Sequence, residues 1–199
     1  SNIKFNLSKT RFTYEDEDFE IKLLGIHQIY NAITAISVVR ELASLGMKIS
    51  NENIKLGLMN ANFSSRLEIV SREPLVILDG AHNLDGAKVL AEAIKLYIGK
   101  KRIIAIVGMM KDKEVFKVLR EVAPLISEFV IVQPDNPRAM DKLELNELVK
   151  KFNKKSIVAE NLSIAVKMAL NKLDGNSSLL IFGSLYLASQ VRPILLSFF

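Results

Sequence analysis

The amino-acid sequence predicts an α/β protein whose main sheet is mostly parallel and flanked by helices, preceded by a small α+β segment. From Phe63 onward, short runs rich in Ile, Val and Leu alternate with helical patterns. Near-continuous apolar runs are typical of strands that are covered on both faces. Their alternation with helices favours parallel strands joined by crossover helices. Together these observations predict a Rossmann-like sheet.

The predicted elements of this sheet follow one another along the chain. The predicted strands are LVILD (75–79), RIIAIVG (102–108), EFVIVQ (128–133), SIVAE (156–160) and SLLIFG (178–183). The predicted helices lie near residues 85–98, 112–125, 143–153 and 161–173.

The first 62 residues have a different pattern. FNLSKTRFTYEDEDFEIKLLG predicts a strand hairpin around the acidic run Glu15–Asp18. In HQIYNAITAISVVRELASLG, apolar residues recur at steps of three or four, which predicts a helix. Ser50 is placed to cap a second, shorter helix. With a linker at Asn60–Asn62, we expect two domains, residues 1–62 and 63–199.

Composition restricts the kinds of protein to consider. The 199 residues are 49% hydrophobic and 25% charged, as in ordinary globular domains. The absence of Cys excludes disulfides and thiolate metal sites, and with only two histidines we expect no metal site in this chain. No apolar run reaches the roughly 20 residues that span a bilayer, and the first residues lack a signal-peptide core. We therefore expect a cytoplasmic protein without a membrane partner.

The net charge of +5 leaves an anionic partner open. The lysines are spread along the chain, however, and no aromatic residues alternate with them as single-stranded nucleic acid would require. We expect no nucleic-acid partner. That role stays a third alternative, which would need a contiguous basic face and strongly salt-dependent binding.

One polar turn stands out, in PLVILDGAHNLDGAKVLAEAIK. It follows a predicted strand and precedes a predicted helix, and ligands of open α/β sheets bind at such carboxyl ends of strands. Free N–H groups at the start of the helix favour phosphate. Asp79 is able to accept hydrogen bonds from ribose hydroxyls, and His82 is able to donate to an oxyanion or carry a proton. In the alternative reading, Asp79 and Asn83 only cap the helix. The dinucleotide fingerprint G-x-G-x-x-G is absent.

Six segments, taken in order, resemble one family. They are GIHQIYNA (25–32), SSRLEIV (64–70), DGAHN (79–83), KDKE (111–114), PDNPRA (134–139) and GSLYLAS (183–189). With them the chain resembles the C-terminal part of folylpolyglutamate synthase/dihydrofolate synthase, in the Mur ligase superfamily. Three positions depart from the family pattern: Ser65 replaces a usual Gly, Leu84 a frequent Pro, and Glu114 a common Asp.

The resemblance also implies a missing part. Proteins of this family carry the P-loop, the Mg²⁺ ligands and a carbamylated lysine in an N-terminal ATPase domain, whereas no G-x-x-x-x-G-K-[ST] occurs in these 199 residues. We therefore expect a fragment, in which residues 1–62 are the tail of the ATPase domain. The fragment alone is expected to be inactive.

The family implies roles for residues that match its motifs. Asn31 would contact the adenine of ATP, Arg66 the ribose and phosphates, and Asp79 the ribose hydroxyls. His82 would act as the catalytic residue near the phosphate or the incoming glutamate. Read without the family, Asn31 is an exposed helical residue, Arg66 an ion-pair partner of Glu68 or Glu73, and His82 a capping or packing histidine.

Two further residues are candidates for the amino-acid substrate. Ser184, at the predicted strand end of GSLYL, would line the glutamate pocket. Arg138, in PDNPRA, would be a cation for that dicarboxylate.

The resemblance thus implies an ATP- and Mg²⁺-dependent ligase that adds L-glutamate to folates or to dihydropteroate through an acyl phosphate. The expected partners are ATP, L-glutamate, folate or dihydropteroate, and the N-terminal ATPase domain. A muramyl-peptide ligase is the alternative within the superfamily. Outside it, the alternative is a non-catalytic α/β nucleotide-binding or interaction module, in which Arg66, Asp79 and His82 would not share a crevice.

Overall fold

The computed structural model describes residues 3–199, which divide into two units between Ser64 and Ser65. The strands are β1 (Lys4–Phe5), β2 (Thr10–Tyr14), β3 (Glu17–Ile21), β4 (Glu68–Arg72), β5 (Leu75–Leu78), β6 (Arg102–Val107), β7 (Glu128–Ile131), β8 (Lys155–Val158) and β9 (Ser177–Phe182). The α-helices are α1 (Ile26–Ser44), α2 (Asn51–Asn60), α3 (Leu84–Ala93), α4 (Val115–Val122), α5 (Lys142–Lys150), α6 (Leu162–Leu170) and α7 (Leu185–Leu196). None of the helices in the described part of the chain is long and apolar enough to cross a membrane.

The first unit contains the predicted hairpin and both predicted helices. Strands β1, β2 and β3 form an antiparallel sheet in that order. Tyr14 pairs with Glu17, and the two residues between them, Glu15 and Asp16, both have positive φ, as a tight hairpin turn requires. Ser50 caps α2 by accepting a hydrogen bond from the amide of Asn53, as predicted.

The second unit is built on a six-stranded sheet in the order β4-β5-β9-β6-β7-β8. All neighbours pair in parallel except β4, which is antiparallel to β5. The predicted α/β class and mostly parallel sheet are therefore confirmed. Strand β4 and helix α7 are additions, because neither was predicted from the sequence.

Burial on both sides of the sheet explains the unbroken apolar runs. Every residue of β5 and β9 is buried, although successive side chains point to opposite faces. One face packs against α6 and α7, with Val76, Ile104 and Leu179 in its core. Burying one such side chain stabilises the fold by roughly 1.5–3 kcal/mol, so the sheet is a rigid support for the loops at its edges.

Two glycines permit the close approach of the carboxyl ends of β6, β7 and β9. A methyl group on Gly108 would lie 2.7 Å from the carbonyl oxygen of Val132, and one on Gly183 would lie 2.6 Å from that of Gly108. Gly183 also has a φ of +122°, which side-chain-bearing residues rarely adopt. Gly108 thus permits the approach of the β6 and β7 ends, and Gly183 permits that of the β9 and β6 ends.

At the amino end of β7, Glu128 binds side chains of neighbouring elements. Its side chain is 14% exposed and pairs with Lys172 at 2.5 Å and with Arg102 at 3.3 Å. The hydrogen bond from Lys172 is the main reason that the pKa of Glu128 lies below its ordinary value, despite the opposing effect of burial. The ionised carboxylate therefore stabilises the folded state.

Replacing Gly183 by Ala should destabilise the second unit by roughly 2–4 kcal/mol, because the methyl group meets a backbone oxygen and the φ is strained. Urea unfolding followed by circular dichroism measures the loss. Gly175→Ala is the matched control: nothing lies within 4 Å of its added methyl, and its midpoint should stay close to wild type. Equal midpoints for both variants would contradict the close approach.

Acid should weaken the fold partly through Glu128. The pKa of Glu128 is lower in the folded than in the unfolded protein. Its contribution to the free energy of unfolding is therefore complete above the unfolded-state pKa and is lost as the pH falls through the folded-state pKa. Between about pH 5 and pH 3, the urea midpoint of Glu128→Gln should therefore fall less steeply than that of wild type. If the urea midpoints of the two proteins fall in parallel with pH, ionised Glu128 does not contribute to stability.

Candidate active site

The carboxylate of Asp79 connects two turns at the carboxyl end of β5. Oδ2 accepts a hydrogen bond from the amide of Leu67 at 2.8 Å, and Oδ1 accepts one from the amide of Ala81 at 2.7 Å. The side chain is 7% exposed. A further hydrogen bond runs from the Gly80 amide to the Ser65 carbonyl at 2.8 Å. The segments that carry Arg66 and His82 are thus tied to each other through Asp79.

Arg66 lies in the turn that leads into β4. It is half-buried, and within residues 3–199 its guanidinium has neither a hydrogen bond nor an ion pair. The sequence left open a pair with Glu68 or Glu73, but Glu68 is bound to Arg192 instead. An arginine held at the edge of a parallel sheet without a partner is suited to bind an anionic ligand.

His82 is half-buried, and its Nδ1 lies 2.8 Å from the carbonyl oxygen of Gly80. A carbonyl oxygen only accepts, so Nδ1 carries the hydrogen and donates it. In the neutral ring this leaves Nε2 as an acceptor. The geometry therefore favours proton acceptance at Nε2, whereas donation to an oxyanion from Nε2 requires the charged ring.

Asn83 caps α3, as the alternative reading of the turn proposed. Its Oδ1 accepts from the Gly86 amide at 2.8 Å. Asp79 has a different role, since it binds the amides of Leu67 and Ala81, which lie outside the helix. Gly80 is needed for close packing: a methyl group there would lie 2.3 Å from Cδ2 of Leu185 and 3.3 Å from the Ser65 carbonyl oxygen.

Ser184 lies between the carboxyl end of β9 and the start of α7, and it caps that helix. Its hydroxyl accepts from the Leu187 amide at 3.0 Å and donates to the Gly108 carbonyl at 3.3 Å. The residue is 2% exposed. Nearby, the Gly183 amide donates to the Ala81 carbonyl at 3.0 Å. Ser184 therefore lies at the same sheet edge as Asp79, with its hydroxyl engaged by the backbone.

Arg138 follows β7 in an exposed loop on this edge. Its Nη2 donates to the hydroxyl of Tyr186 at 2.9 Å, and its guanidinium carbon lies 5.5 Å from the centre of the Tyr186 ring. The loop is anchored by a hydrogen bond from the Lys111 amide to the Arg138 carbonyl at 2.9 Å. Tyr186 is a site residue that the sequence reasoning missed, although it lies in the quoted segment GSLYLAS.

Asn31 belongs to the first unit, where it is exposed on α1. Its Nδ2 donates to Oε1 of Gln28 at 3.0 Å, and Nε2 of Gln28 lies 3.0 Å from Nε2 of His27. The three polar side chains form a row at the start of the helix. Within residues 3–199, no donor binds the side-chain carbonyl of Asn31, and the residue is exposed to solvent.

A second missed feature is the ion pair of Glu68 with Arg192. The two residues are 124 positions apart, so no local pattern could indicate it. Hydrogen bonding to Glu68 raises the pKa of Arg192 further above its ordinary value. The guanidinium is thus permanently charged and bound.

The donor groups present here do not form a metal site. Across residues 3–199, no three His, Asp or Glu side chains are clustered so that they could hold a metal ion. The cationic and hydrogen-bonding groups at this edge are suited to the phosphates or carboxylates of a ligand.

Comparisons with known proteins identify the family of the second unit. Residues 65–185 match the family described as Mur ligase, glutamate ligase domain. The dihydrofolate synthase/folylpolyglutamate synthase of Bacillus subtilis is 32% identical over 177 residues, covering 88% of this chain and 41% of that protein. The UDP-N-acetylmuramoyl-L-alanyl-D-glutamate–2,6-diaminopimelate ligase of Caldanaerobacter subterraneus subsp. tengcongensis is 29% identical over 190 residues, or 92% of this chain and 38% of that protein.

The fold also matches a solved structure. The folylpolyglutamate synthase of Mycobacterium tuberculosis, crystallised with ADP and AMPPCP, superposes with a TM-score of 0.86 over 98% of this chain and 47% of that one, at 23% identity. This chain therefore spans less than half the length of the proteins it matches. Because the family match covers most of the second unit and includes the segments of Arg66, Asp79 and His82, the chain belongs to the Mur ligase family and contains its glutamate ligase domain.

Proposed function

We propose that this chain is the C-terminal part of an ATP-dependent ligase that joins L-glutamate to the carboxylate of a folate or of dihydropteroate. The observation that carries the proposal is that the turn of Arg66, whose guanidinium has no partner within residues 3–199, is bound to Asp79 and to the turn of His82 at one sheet edge. The relative from Bacillus subtilis is named for both folate activities. Whether the acceptor is dihydropteroate, a folate or both is left to the experiment below.

The nucleotide is the first ligand assigned to this edge. ATP supplies the phosphoryl group that activates the acceptor carboxylate as an acyl phosphate. Arg66 would bind the ribose and phosphates with its planar, multiply donating guanidinium. Asp79 would accept from a ribose hydroxyl in addition to its backbone donors, and Asn31 would bind adenine through its amide. The solved relative with ADP and AMPPCP supports a nucleotide at this fold.

His82 is assigned to the amide-forming step. The amine of glutamate attacks the acyl carbon, the new C–N bond forms, and the C–O bond to phosphate breaks. The proton released from the amine passes to Nε2 of His82, which is an acceptor because Nδ1 donates to Gly80. Phosphate leaves with the electron pair of the broken bond.

The remaining groups are proposed to hold substrate or complete the enzyme. Arg138, supported by Tyr186, would bind a carboxylate of glutamate, and Ser184 would line the same pocket. Residues 1–62 would be the tail of the ATP-binding domain and residues 63–199 the glutamate ligase domain. The N-terminal portion would contribute the P-loop and the Mg²⁺ ligands, and the 199 residues alone would be inactive.

A muramyl-peptide ligase is the second candidate, because the diaminopimelate-adding relative covers a similar share of the chain at 29% identity. An experiment that combines this chain with the N-terminal portion distinguishes the two candidates. The N-terminal portion, expressed separately and combined with this chain, should transfer labelled glutamate to dihydropteroate or tetrahydrofolate in the presence of ATP. Transfer of an amino acid only to a UDP-muramyl acceptor would favour the second candidate, and binding of ATP without transfer to any acceptor would favour a non-catalytic module.

Removing the guanidinium in Arg66→Ala should raise the KM for ATP in this mixture by about 10- to 100-fold, the effect of losing a charged hydrogen bond worth roughly 1.5–3 kcal/mol. Arg66→Lys should recover part of the loss, since it keeps the charge without the fork. Arg72→Ala, an exposed arginine at the far end of β4, is the matched control and should leave the KM unchanged. A wild-type KM in Arg66→Ala would contradict the nucleotide role.

Substitution of His82 should separate the two chemical steps. His82→Asn retains a donor near the position of Nδ1 but has no group in place of Nε2, so glutamate transfer should fall by about 10²-fold or more. ATP-dependent activation of the acceptor does not use Nε2 and should continue, measured as ADP formed per labelled glutamate incorporated. An equal fall in both rates would show that His82 is not the proton acceptor.

A further inference from the structure

The carboxylate of Glu68 binds two different segments of the second unit. Nε of Arg192 lies 2.8 Å from Oε1 and 3.1 Å from Oε2, and Nη2 lies 2.8 Å from Oε1. Oε2 also accepts from the Ser65 amide at 2.9 Å. The Glu68 side chain is 16% exposed and that of Arg192 is 36% exposed. One carboxylate therefore joins helix α7 to the turn before β4.

That turn has a strained backbone on both sides of Arg66. Ser65 has a φ of +62° and Leu67 a φ of +46°, in the left-handed region that residues with a side chain avoid. Such a conformation is unfavourable for a residue with a side chain, and it persists only where surrounding contacts hold it. Each contact that holds such a turn therefore lowers the cost of keeping it in this conformation.

The contacts that hold the turn come from two directions. Asp79 and Gly80 bind Leu67 and Ser65 from the side of β5, and Glu68 binds the Ser65 amide from the side of α7. The guanidinium of Arg66 has no hydrogen bond or ion pair in the described chain, so the position of this backbone is the main constraint on where the half-buried side chain lies.

An ion pair between fully exposed side chains contributes little to a fold and would have no such role. Glu68 differs in three respects. Its side chain is mostly buried, and both Nε and Nη2 of Arg192 contact its carboxylate. The same carboxylate also accepts from the amide of Ser65, whose φ is positive. The pair is therefore placed to control geometry more than overall stability.

We propose that Glu68 and Arg192 are positioning residues, which fix the strained Ser65–Leu67 turn against α7 and thereby direct Arg66 toward the nucleotide. The nucleotide part of this role rests on the proposed function of Arg66. The fixing of the turn is independent of it and is measurable on this chain.

Amide hydrogen exchange tests the fixing of the turn. In Arg192→Gln, exchange at Ser65 should accelerate about tenfold or more, while the amides of Ile104 and Ile106 in β6 stay protected. Arg192→Lys should give an intermediate rate at Ser65, because it keeps the charge without the fork. Arg102→Gln is the matched control, since it also breaks an arginine–glutamate pair, and it should leave Ser65 unchanged. Unchanged exchange in Arg192→Gln would overturn the proposal.

A double-mutant cycle in the reconstituted ligase tests whether Arg192 affects nucleotide binding through the side chain of Arg66. Arg192→Gln should raise the KM for ATP about fivefold when Arg66 is present, and less than twofold in the Arg66→Ala background, because the effect passes through Arg66. A purely structural defect would lower the thermal midpoint equally in both backgrounds and would add to the KM in both. Additive effects on the KM would overturn the positioning role alone. An unchanged KM in Arg66→Ala by itself would overturn the proposed function of Arg66, and the positioning role with it.

Discussion

The buried carboxylate of Asp79 is the contact on which the candidate site depends. It accepts the amides of Leu67 and Ala81, and so connects the turn before β4 with the turn after β5. A buried donor left without a partner costs about 1–3 kcal/mol, and the loss of this carboxylate would leave two. Because β4 is antiparallel to β5, its first residues lie where β5 ends, which places Arg66 next to the turn that carries His82.

Several polar groups at this edge that are proposed to bind ligands also stabilise the fold. Ser184 caps α7 and binds the Gly108 carbonyl, and His82 is oriented by the Gly80 carbonyl. Arg66 is the exception, because its guanidinium has no partner in the described chain while its backbone is held on both sides. Activity lost on changing Asp79 or Ser184 would therefore mix folding with chemistry, whereas Arg66 reports on ligand binding more directly.

The elements that were predicted correctly have a signal in their own residues, either an unbroken apolar run or a cap that binds an amide nearby in the sequence. The apolar runs of β5 and β9 are buried on both faces, and the caps at Ser50 and Asn83 bind amides three residues on. Strand β4 was missed because EIVSR is only partly buried, with no long apolar run, and its identity depends on pairing with β5. Helix α7 was missed because it contains Pro193 and follows β9 almost directly.

By itself, the sequence predicted the class of fold and which apolar runs form the parallel strands, and its resemblance to a family indicated Arg66, Asp79 and His82 as candidate residues. Side-chain periodicity and local caps are properties of neighbouring residues, so a single chain displays them. Only the tertiary structure decided that Glu68 pairs with Arg192 and not with Arg66, and that Asp79 binds Leu67. These contacts join residues far apart in the chain, and they exist only because the sheet brings the ends of separate strands to one edge.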